Sequence, residues 1–526
     1  MKPSKPFIYA FSLLLLLITA VKSQNYSLGT TNLLEAPSAS SDSVALSVTP
    51  SSATWTAKTN ASWLQLSAAN QSGTGSTNVI FTFAANSGAT RTSTLTIAGQ
   101  TLAITQAGTN YVAANPLTTL VPSGLYSPSD LAVDCAANVY LVDPYTNAIA
   151  EWTAASDTAT TLVPLGLYQQ PFAVAVDKTG NLYITLLDSL LKWTAASNTV
   201  TTLIPSELNS PYGVAVDEAG NVYIADTGNN AIKKWTASNS NVTTLVYADA
   251  HSYMIGVALD GAGNVYFSSS SGANNTIMKW TASNSNVTTL VSSDLFNPEG
   301  VAVDGSGNVY FADTSNNAIK KWIAASNVVT TLASAGMDYP NGVAVDGEDN
   351  VYISDLDNDT IKEVPHAFVE PTNKVETAFA GSDTLPVVLP ITANLTGPFA
   401  PASDSSWLTI TGNTNGVVSF AFTANISGSS RTANITLLGH TNQITQATLT
   451  PLILTDITIL SNGTFHFVFT NNQLPSFTVL TATNLLLPMT NWTVLGIPTS
   501  NGSGQYQFTD PTATNGSQRF YRISSP

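Results

Sequence analysis

Two sets of side chains recur at matching places in a repeated phrase, yet differ in kind from copy to copy. The first set precedes a small residue and reads Ser129, Phe172, Tyr212, Ile255, Glu299 and Asn341. The second closes an apolar phrase and reads Asp143, Leu186, Asp226, Ser269, Asp313 and Asp355. Aromatic rings offer flat apolar faces, and carboxylates and carboxamides offer acceptors and donors, so these types together suit recognition of a polar ligand with an apolar side. Oxygen donors are also what calcium takes, about six to eight at a time, and Glu299, Asp226, Asp313 and Asn341 would be its ligands here. No cofactor is otherwise expected. A histidine-based zinc centre wants about three such ligands. Of His251, His366, His440 and His466, only His251 lies well inside the repeated region, so zinc-dependent lyase chemistry is not expected. No Ser-His-Asp arrangement, glycine-rich phosphate loop or paired-acid signature stands out.

The repeat that carries these residues must also position them. In its clearest copy it runs Pro211-Tyr-Gly-Val-Ala-Val-Asp217, Gly220-Asn-Val-Tyr-Ile-Ala-Asp226, Asn229-Asn-Ala-Ile-Lys-Lys-Trp235 and Thr243-Thr-Leu245. The aspartate closing the first phrase recurs at Asp134, Asp177, Asp217, Asp260, Asp304 and Asp346, at intervals of 43, 40, 43, 44 and 42 residues. Four short β-rich phrases per period of about forty, split by Gly, Asn and Asp, predict a β-propeller with four strands per blade. Six copies predict six blades. The sixth copy lacks its Thr-Thr-Leu phrase, whereas an orphan Thr118-Thr-Leu120 precedes the first. Residues near Leu117 to Val121 are therefore expected to complete the last blade, joining the ends of the ring and leaving no open edge.

Tyr140, Tyr183, Tyr223, Tyr266, Tyr310 and Tyr352 hold one repeat position, and Trp152, Trp193, Trp235, Trp280 and Trp322 hold another. A residue present in almost every blade serves the contact that every blade makes, so these rings read as packing rather than as ligand platforms. The repeated aspartate opens a tight turn toward Gly-Asn, where its carboxylate can bond turn amides. Taken together, the phrases resemble NHL repeats over about half of the chain. That resemblance brings the lyases and lactone hydrolases among related six-bladed propellers into view as an alternative function. The usual pattern also places Arg shortly after the Asn of the third phrase. Here Ala231 follows Asn230 and Ala318 follows Asn317, so an Asp-to-Arg ion pair across the hairpin is expected to be missing.

Strands alternate in direction outward from a propeller axis, so the connections leading into the inner strands and the middle hairpins share one face. The expected ligand-binding residues on that face are Phe172, Tyr212, Glu299, Asn341, Asp226, Asp313 and Asp355. From the repeated Tyr to the repeated Trp, blade 2 is two residues shorter than blades 1, 3 and 5, and blade 4 is two residues longer. A lopsided groove is predicted there, with the loop from Ser268 to Asn275 as a lid. Solvated hairpin tips, which vary freely, are the plainer reading of the same residues.

Composition bounds the partners. Charged residues make up 10% of the chain, far below the roughly 25% of an average soluble protein. Met1-Lys-Pro-Ser-Lys5 followed by an apolar run from Phe7 to Val21 has the layout of a signal peptide over residues 1–23. Its removal takes away Lys2, Lys5 and Lys22 and leaves 14 basic against 33 acidic side chains, a poor surface for nucleic acid. No later stretch is long and apolar enough to span a membrane, so the mature chain is expected outside the cytoplasm or at the cell surface. Cys135, the only cysteine, falls in a turn and reads as a surface residue.

Around the repeats, residues 24–109 and 367–449 show short alternating strands of the kind that build a β-sandwich. Ala61-Ser-Trp63, Asn86, Arg91-Thr92 and Ile104-Thr-Gln-Ala107 return as Ser405-Ser-Trp407, Asn425, Arg431-Thr432 and Ile444-Thr-Gln-Ala447. Both copies resemble BACON domains, immunoglobulin-like modules proposed to bind glycans. Trp63 and Trp407 are then either sugar platforms or core plugs. Residues 450–526, ending in Arg519-Phe-Tyr-Arg-Ile523, read as a further small sandwich. The expected fold class is all-β: a six-bladed propeller over residues 110–366 with immunoglobulin-like sandwiches on either side in sequence. The expected function is noncatalytic recognition of a glycan, glycoprotein or extracellular protein by a monomer, with a cell-surface spacer as a further alternative.

Overall fold

A computed structural model describes residues 24–114, 116–166, 169–248, 252–272, 274–449, 452–471, 476–502, 504–513 and 518–524. The expected signal peptide and His251 lie outside these residues. The chain forms two compact units, residues 1–368 and 369–526. Among the described residues, no helix is long and apolar enough to cross a membrane.

The first unit contains a propeller of six four-stranded sheets. The inner strands are Asp130–Val133, Ala173–Val176, Pro211–Val216, Tyr253–Leu259, Pro298–Val303 and Pro340–Val345. The last blade takes its outer strand from Thr118–Val121, which pairs antiparallel with Thr360–Val364. The ring is thus closed by the orphan phrase, as its sequence position predicts.

Each blade is tied at one end by the same small network. In blade 3, Asp217 Oδ1 accepts the amides of Ala219 and Asn221 at 3.0 and 2.9 Å. Its Oδ2 accepts Asn221 Nδ2 at 2.8 Å and the Tyr223 hydroxyl at 3.4 Å. Asn221 Oδ1 in turn accepts the Ala237 amide at 3.0 Å, stapling the first hairpin to the last. Asp134, Asp177, Asp260, Asp304 and Asp346 repeat the arrangement. The six tyrosines are 1–6% exposed, and Trp152, Trp193, Trp235 and Trp280 are buried. Burying one such ring, about 150–250 Å² at about 25 cal/mol per Å², contributes roughly 4–6 kcal/mol before entropy. These aromatics carry packing.

The same unit holds a β-sandwich built from the sheet of Asn25–Leu28, Ser40–Thr49, Leu64–Leu66 and Thr77–Phe83 and the sheet of Asn32–Glu35, Thr54–Thr59, Ser72–Thr74, Arg91–Ile97 and Gln100–Gln106. Val44, Leu46, Trp55, Val79, Phe81, Leu95, Ile97 and Ile104 alternate inward to form its core. This sandwich seats on the aspartate-turn end of blade 5. Gly29 and Gly305 meet backbone to backbone, where a Cβ on Gly29 would stand 2.4 Å from the Gly305 oxygen. The Ala45 amide donates to Gly305 O at 3.0 Å, and the Ser43 hydroxyl donates to Ser306 O at 2.6 Å.

In the second unit, Lys374–Glu376, His440–Gln446, Arg431–Leu437 and Ala402–Ser403 form one sheet and Gly381–Thr384, Val417–Phe422 and Leu408–Thr414 another. The C-terminal residues form two further sheets around Phe467, Phe469, Phe477 and Val479. Tyr521 of the closing phrase stacks on Phe465 at 4.5 Å and donates to Asp510 Oδ2 at 2.9 Å.

Candidate functional site

The six inner strands enclose an axial funnel of about 390 Å³. Its wall is the Val-Ala-Val phrase of blades 2, 3, 5 and 6, with Leu131-Ala-Val133 in blade 1 and Val257-Ala-Leu259 in blade 4. Its mouth is formed by the variable slots Ser129, Phe172, Tyr212, Ile255 and Asn341. The mouth lies opposite the aspartate turns, because each inner strand runs from slot to turn. It shares its face with the middle hairpins, since Pro211 pairs with Asp226, Pro298 with Asp313 and Pro340 with Asp355.

The mouth is chemically divided. On blades 2 and 3 the Phe172 and Tyr212 rings lie 4.9 Å apart at 47°, and Tyr212 is 45% exposed. Across the ring, on blades 5 and 6, Asn341 Nδ2 donates to Glu299 Oε2 at 2.5 Å and Asn297 Nδ2 to Oε1 at 2.8 Å. Burial raises the Glu299 carboxyl while these two amides lower it, with burial the larger effect. Phe172, Tyr212, Glu299 and Asn341 are therefore gathered around one opening.

Asp226, Asp313 and Asp355 are not part of it. All three side chains are fully buried. The carboxylates accept the amides of Asn209, Phe296 and Asp338 at 2.7, 2.7 and 2.8 Å, fixing the connection that leads into each inner strand. Each is neutralised by a lysine, Lys233 at 2.5 Å, Lys320 at 2.6 Å, and Lys362. The Asp-to-Arg pair expected to be missing is thus replaced by an Asp-to-Lys pair whose cation stands two residues beyond the Ala slot. Both members are absent in blades 2 and 4, where the corresponding positions hold Leu186 with Leu191 and Ser269 with Met278, whereas blade 1 keeps a buried Asp143 with Ala150 at the lysine position. This also corrects the calcium expectation. Glu299 and Asn341 meet each other, but Asp226 and Asp313 are committed to lysines inside their own blades. Among the described residues no cluster of three or more His, Cys, Asp or Glu is arranged to hold a metal ion.

The expected lid is corrected too. Ser268–Ser270 belong to the strand Val265–Ser270 and are buried, and Asn275 is buried with its Nδ2 donating to Leu295 O at 3.2 Å. The two ends of this loop are joined by the Ser270 hydroxyl donating to Asn275 Oδ1 at 3.2 Å, and Ala273 lies outside the described residues. What sequence reasoning missed is four more exposed rings on the same face. Tyr126, Tyr145 and Phe296 in its connections and hairpins, and Tyr253 at the start of an inner strand, are each more than half exposed. They sit outside the recurring Tyr and Trp positions, and that irregularity was their signal.

In the sandwiches, an arginine covers one face of Trp63 and one face of Trp407. The Arg91 guanidinium lies 4.5 Å over the Trp63 ring and Arg431 lies 4.3 Å over Trp407. Each arginine is held by a glutamine, Arg91 Nε to Gln106 Oε1 at 2.9 Å and Arg431 Nε to Gln446 Oε1 at 2.8 Å. The shared Trp-Arg-Gln set is a structural lock, and Trp63 packs on the sandwich core from its other side.

The BACON family, described as "Putative binding domain, N-terminal", matches residues 53–107 and 400–447, and the NHL repeat matches residues 208–235. No curated protein sequence matches the chain significantly. Similar solved structures include a gluconolactonase from Xanthomonas campestris, with 14% identity and a TM-score of 0.41 over 48% of this chain and 89% of that one. They also include virginiamycin B lyase from Staphylococcus aureus, with 13% identity and a TM-score of 0.38 over 48% and 99%. An auxiliary nutrient binding protein from Bacteroides thetaiotaomicron has 13% identity and a TM-score of 0.41 over 58% and 91%. The chain thus holds a closed six-bladed β-propeller, one stretch of which matches the NHL repeat, together with two segments that match the BACON domain.

Proposed function

We propose that the chain is a noncatalytic binding protein, exported from the cell, that takes a glycan or glycoprotein on the slotted face of its propeller. One observation carries this reading: the funnel mouth sets an aromatic pair, Phe172 and Tyr212, opposite an amide–carboxylate group, Asn341, Glu299 and Asn297. A sugar has the matching faces, with C–H groups for a ring to cover and hydroxyls for amides and carboxylates to bond. The exposed rings of Tyr126, Tyr145, Tyr253 and Phe296 extend the same chemistry beyond one sugar unit, which suits a chain or a glycoprotein. The sandwich on the turn end of blade 5 leaves the slotted face uncovered. The expected signal peptide and the acidic composition, −16 over the whole chain, fit an extracytoplasmic protein that does not bind nucleic acid.

A glycan array probed with the full chain and with a Phe172→Ala/Tyr212→Ala variant tests the proposal. Binding to a defined set of glycans that the double variant loses is the expected result. An array silent for the wild type, or turnover of lactone or uronide substrates by the same preparation, would overturn it.

A further inference from the structure

Around the funnel wall, the inner-strand position next to each slot is glycine in four blades, Gly213, Gly256, Gly300 and Gly342, and alanine in blade 2, Ala173. Crowding between neighbouring inner strands explains the glycines. A Cβ would stand 2.3 Å from Ile255 O at Gly213, 2.3 Å from Glu299 O at Gly256 and 2.5 Å from Asn341 O at Gly300. Blade 1 breaks the series with Asp130. Its Oδ2 accepts the Val174 amide of blade 2 at 3.0 Å, while the adjacent Ser129 hydroxyl donates to Phe172 O at 3.2 Å. The carboxyl group therefore stands in the wall close to the aromatic side of the mouth.

Among the described residues lining the funnel wall, Asp130 is the one acid, with Glu299 held by Asn341 and Asn297 at the mouth, and no lysine, arginine or histidine lines the wall. An anionic ligand such as a uronic acid or a phosphate would meet a carboxylate and no cation. An ammonium group would meet a counter-charge in a wall of valines and alanines, where a charge pair counts for more than in water. The faces of Phe172 and Tyr212 favour a cation as well.

Building on the carbohydrate reading of the slotted face, we propose that Asp130 makes the funnel selective for amine-bearing sugars, whose ring lies against Tyr212 and Phe172 and whose ammonium group pairs with the Asp130 carboxylate. Burial pushes this carboxyl up to about 7, against the lowering effect of the Val174 and Leu131 amides. A bound ammonium favours the ionised form, so binding expels a proton near neutrality and affinity rises with pH up to that range.

The test is isothermal titration of the full chain with a chito-oligosaccharide in its amine form and with the N-acetylated oligomer of equal length. At about pH 7 the amine form binds ~tenfold more tightly than the acetylated form, and it loses ~tenfold at about pH 5.5 while the acetylated form does not change. Asp130→Asn retains an acceptor for the Val174 amide, and Asp130→Ala installs the residue that blade 2 itself carries. Both variants keep the wild-type circular dichroism and lose the preference and its pH dependence. Equal affinity for the two oligomers, or a preference that survives in both variants, overturns the proposal and leaves the carbohydrate reading standing. If neither oligomer binds and the glycan array is also silent, both fall together.

Discussion

The two ends of each blade obey different rules. At the turn end, all six copies keep the same Asp, Asn and Tyr, joined by the same hydrogen bonds. At the slot end, the six copies hold Ser129, Phe172, Tyr212, Ile255, Glu299 and Asn341, no two alike. Both ends belong to the same strands, so the difference does not come from a need to fold. Uniformity marks the contacts every blade must make, and on the proposed function variation marks the surface left free to recognise a ligand. The hairpins beside the slots show the boundary between the two rules. Their Asp-to-Lys pairs in blades 3, 5 and 6 share the variable end but belong to the scaffold, because each carboxylate is 0% exposed and is neutralised within its own blade.

The sharpest way to break this comparison is at such a pair. Lys320→Met leaves Asp313 buried without a counter-charge, and denaturant unfolding should show a loss of about 3–5 kcal/mol. Adding Asp313→Ser, which reproduces the Ser269 and Met278 combination of blade 4, should recover most of it. If the single and double variants are equally unstable, the pair is not a self-contained unit. Next in size, Tyr212→Ala should weaken glycan binding by roughly tenfold without lowering Tm, since a stacking aromatic contributes about 1 kcal/mol or more while Tyr212 packs little of the core.

A smaller effect is expected at the seam between the first sandwich and the propeller. Glu35 and Asp42 of the sandwich gather with Asp304 and Asp349 of the propeller around Lys321, with His366 Nε2 lying 3.1 Å from Leu34 O. Burial pushes the Asp42 carboxyl up to about 6 and raises Glu35 and Asp349 as well. Burial also lowers His366. The raised carboxyls hold protons in the folded protein that the unfolded chain releases near pH 4. For Asp42 the contribution is therefore complete below that pH and is lost as pH rises through about 6, and Glu35 and Asp349 act in the same direction. Asp42→Asn should raise Tm by about 3 °C near pH 8 and leave it unchanged near pH 4. A variant no more stable than wild type at the higher pH would show that the seam carries no such strain. Smallest of all, Lys178→Ala should leave Tm unchanged, because the Lys178–Glu218 pair is more than three-quarters exposed at both ends.

Much of this molecule could be read before its structure. The period near forty and the orphan Thr118-Thr-Leu120 carried the blade number and the clasp, because strand spacing and edge pairing are properties of the pattern itself. The slot residues were legible for the same reason: a varied position stands out only inside a repeated frame. The role of Asp226, Asp313 and Asp355 was not, because their lysines lie seven residues away and across a hairpin, and sequence alone does not say which side of a strand is buried. Asp130 escaped for a different reason. Its meaning depends on how closely one inner strand approaches the next, a distance set by the closed ring. Trp63 and Trp407 were readable as a matched pair, but the arginines covering them are brought there by the sandwich fold.

The most direct test of the division between the two ends is a crystal structure of the full chain with the strongest glycan from the array. The ligand should lie in the funnel mouth, with a sugar ring against Tyr212 and Phe172 and hydroxyls on Asn341 and Glu299. A ligand seated on a sandwich, or on the uniform aspartate-turn end of the propeller, would contradict the account.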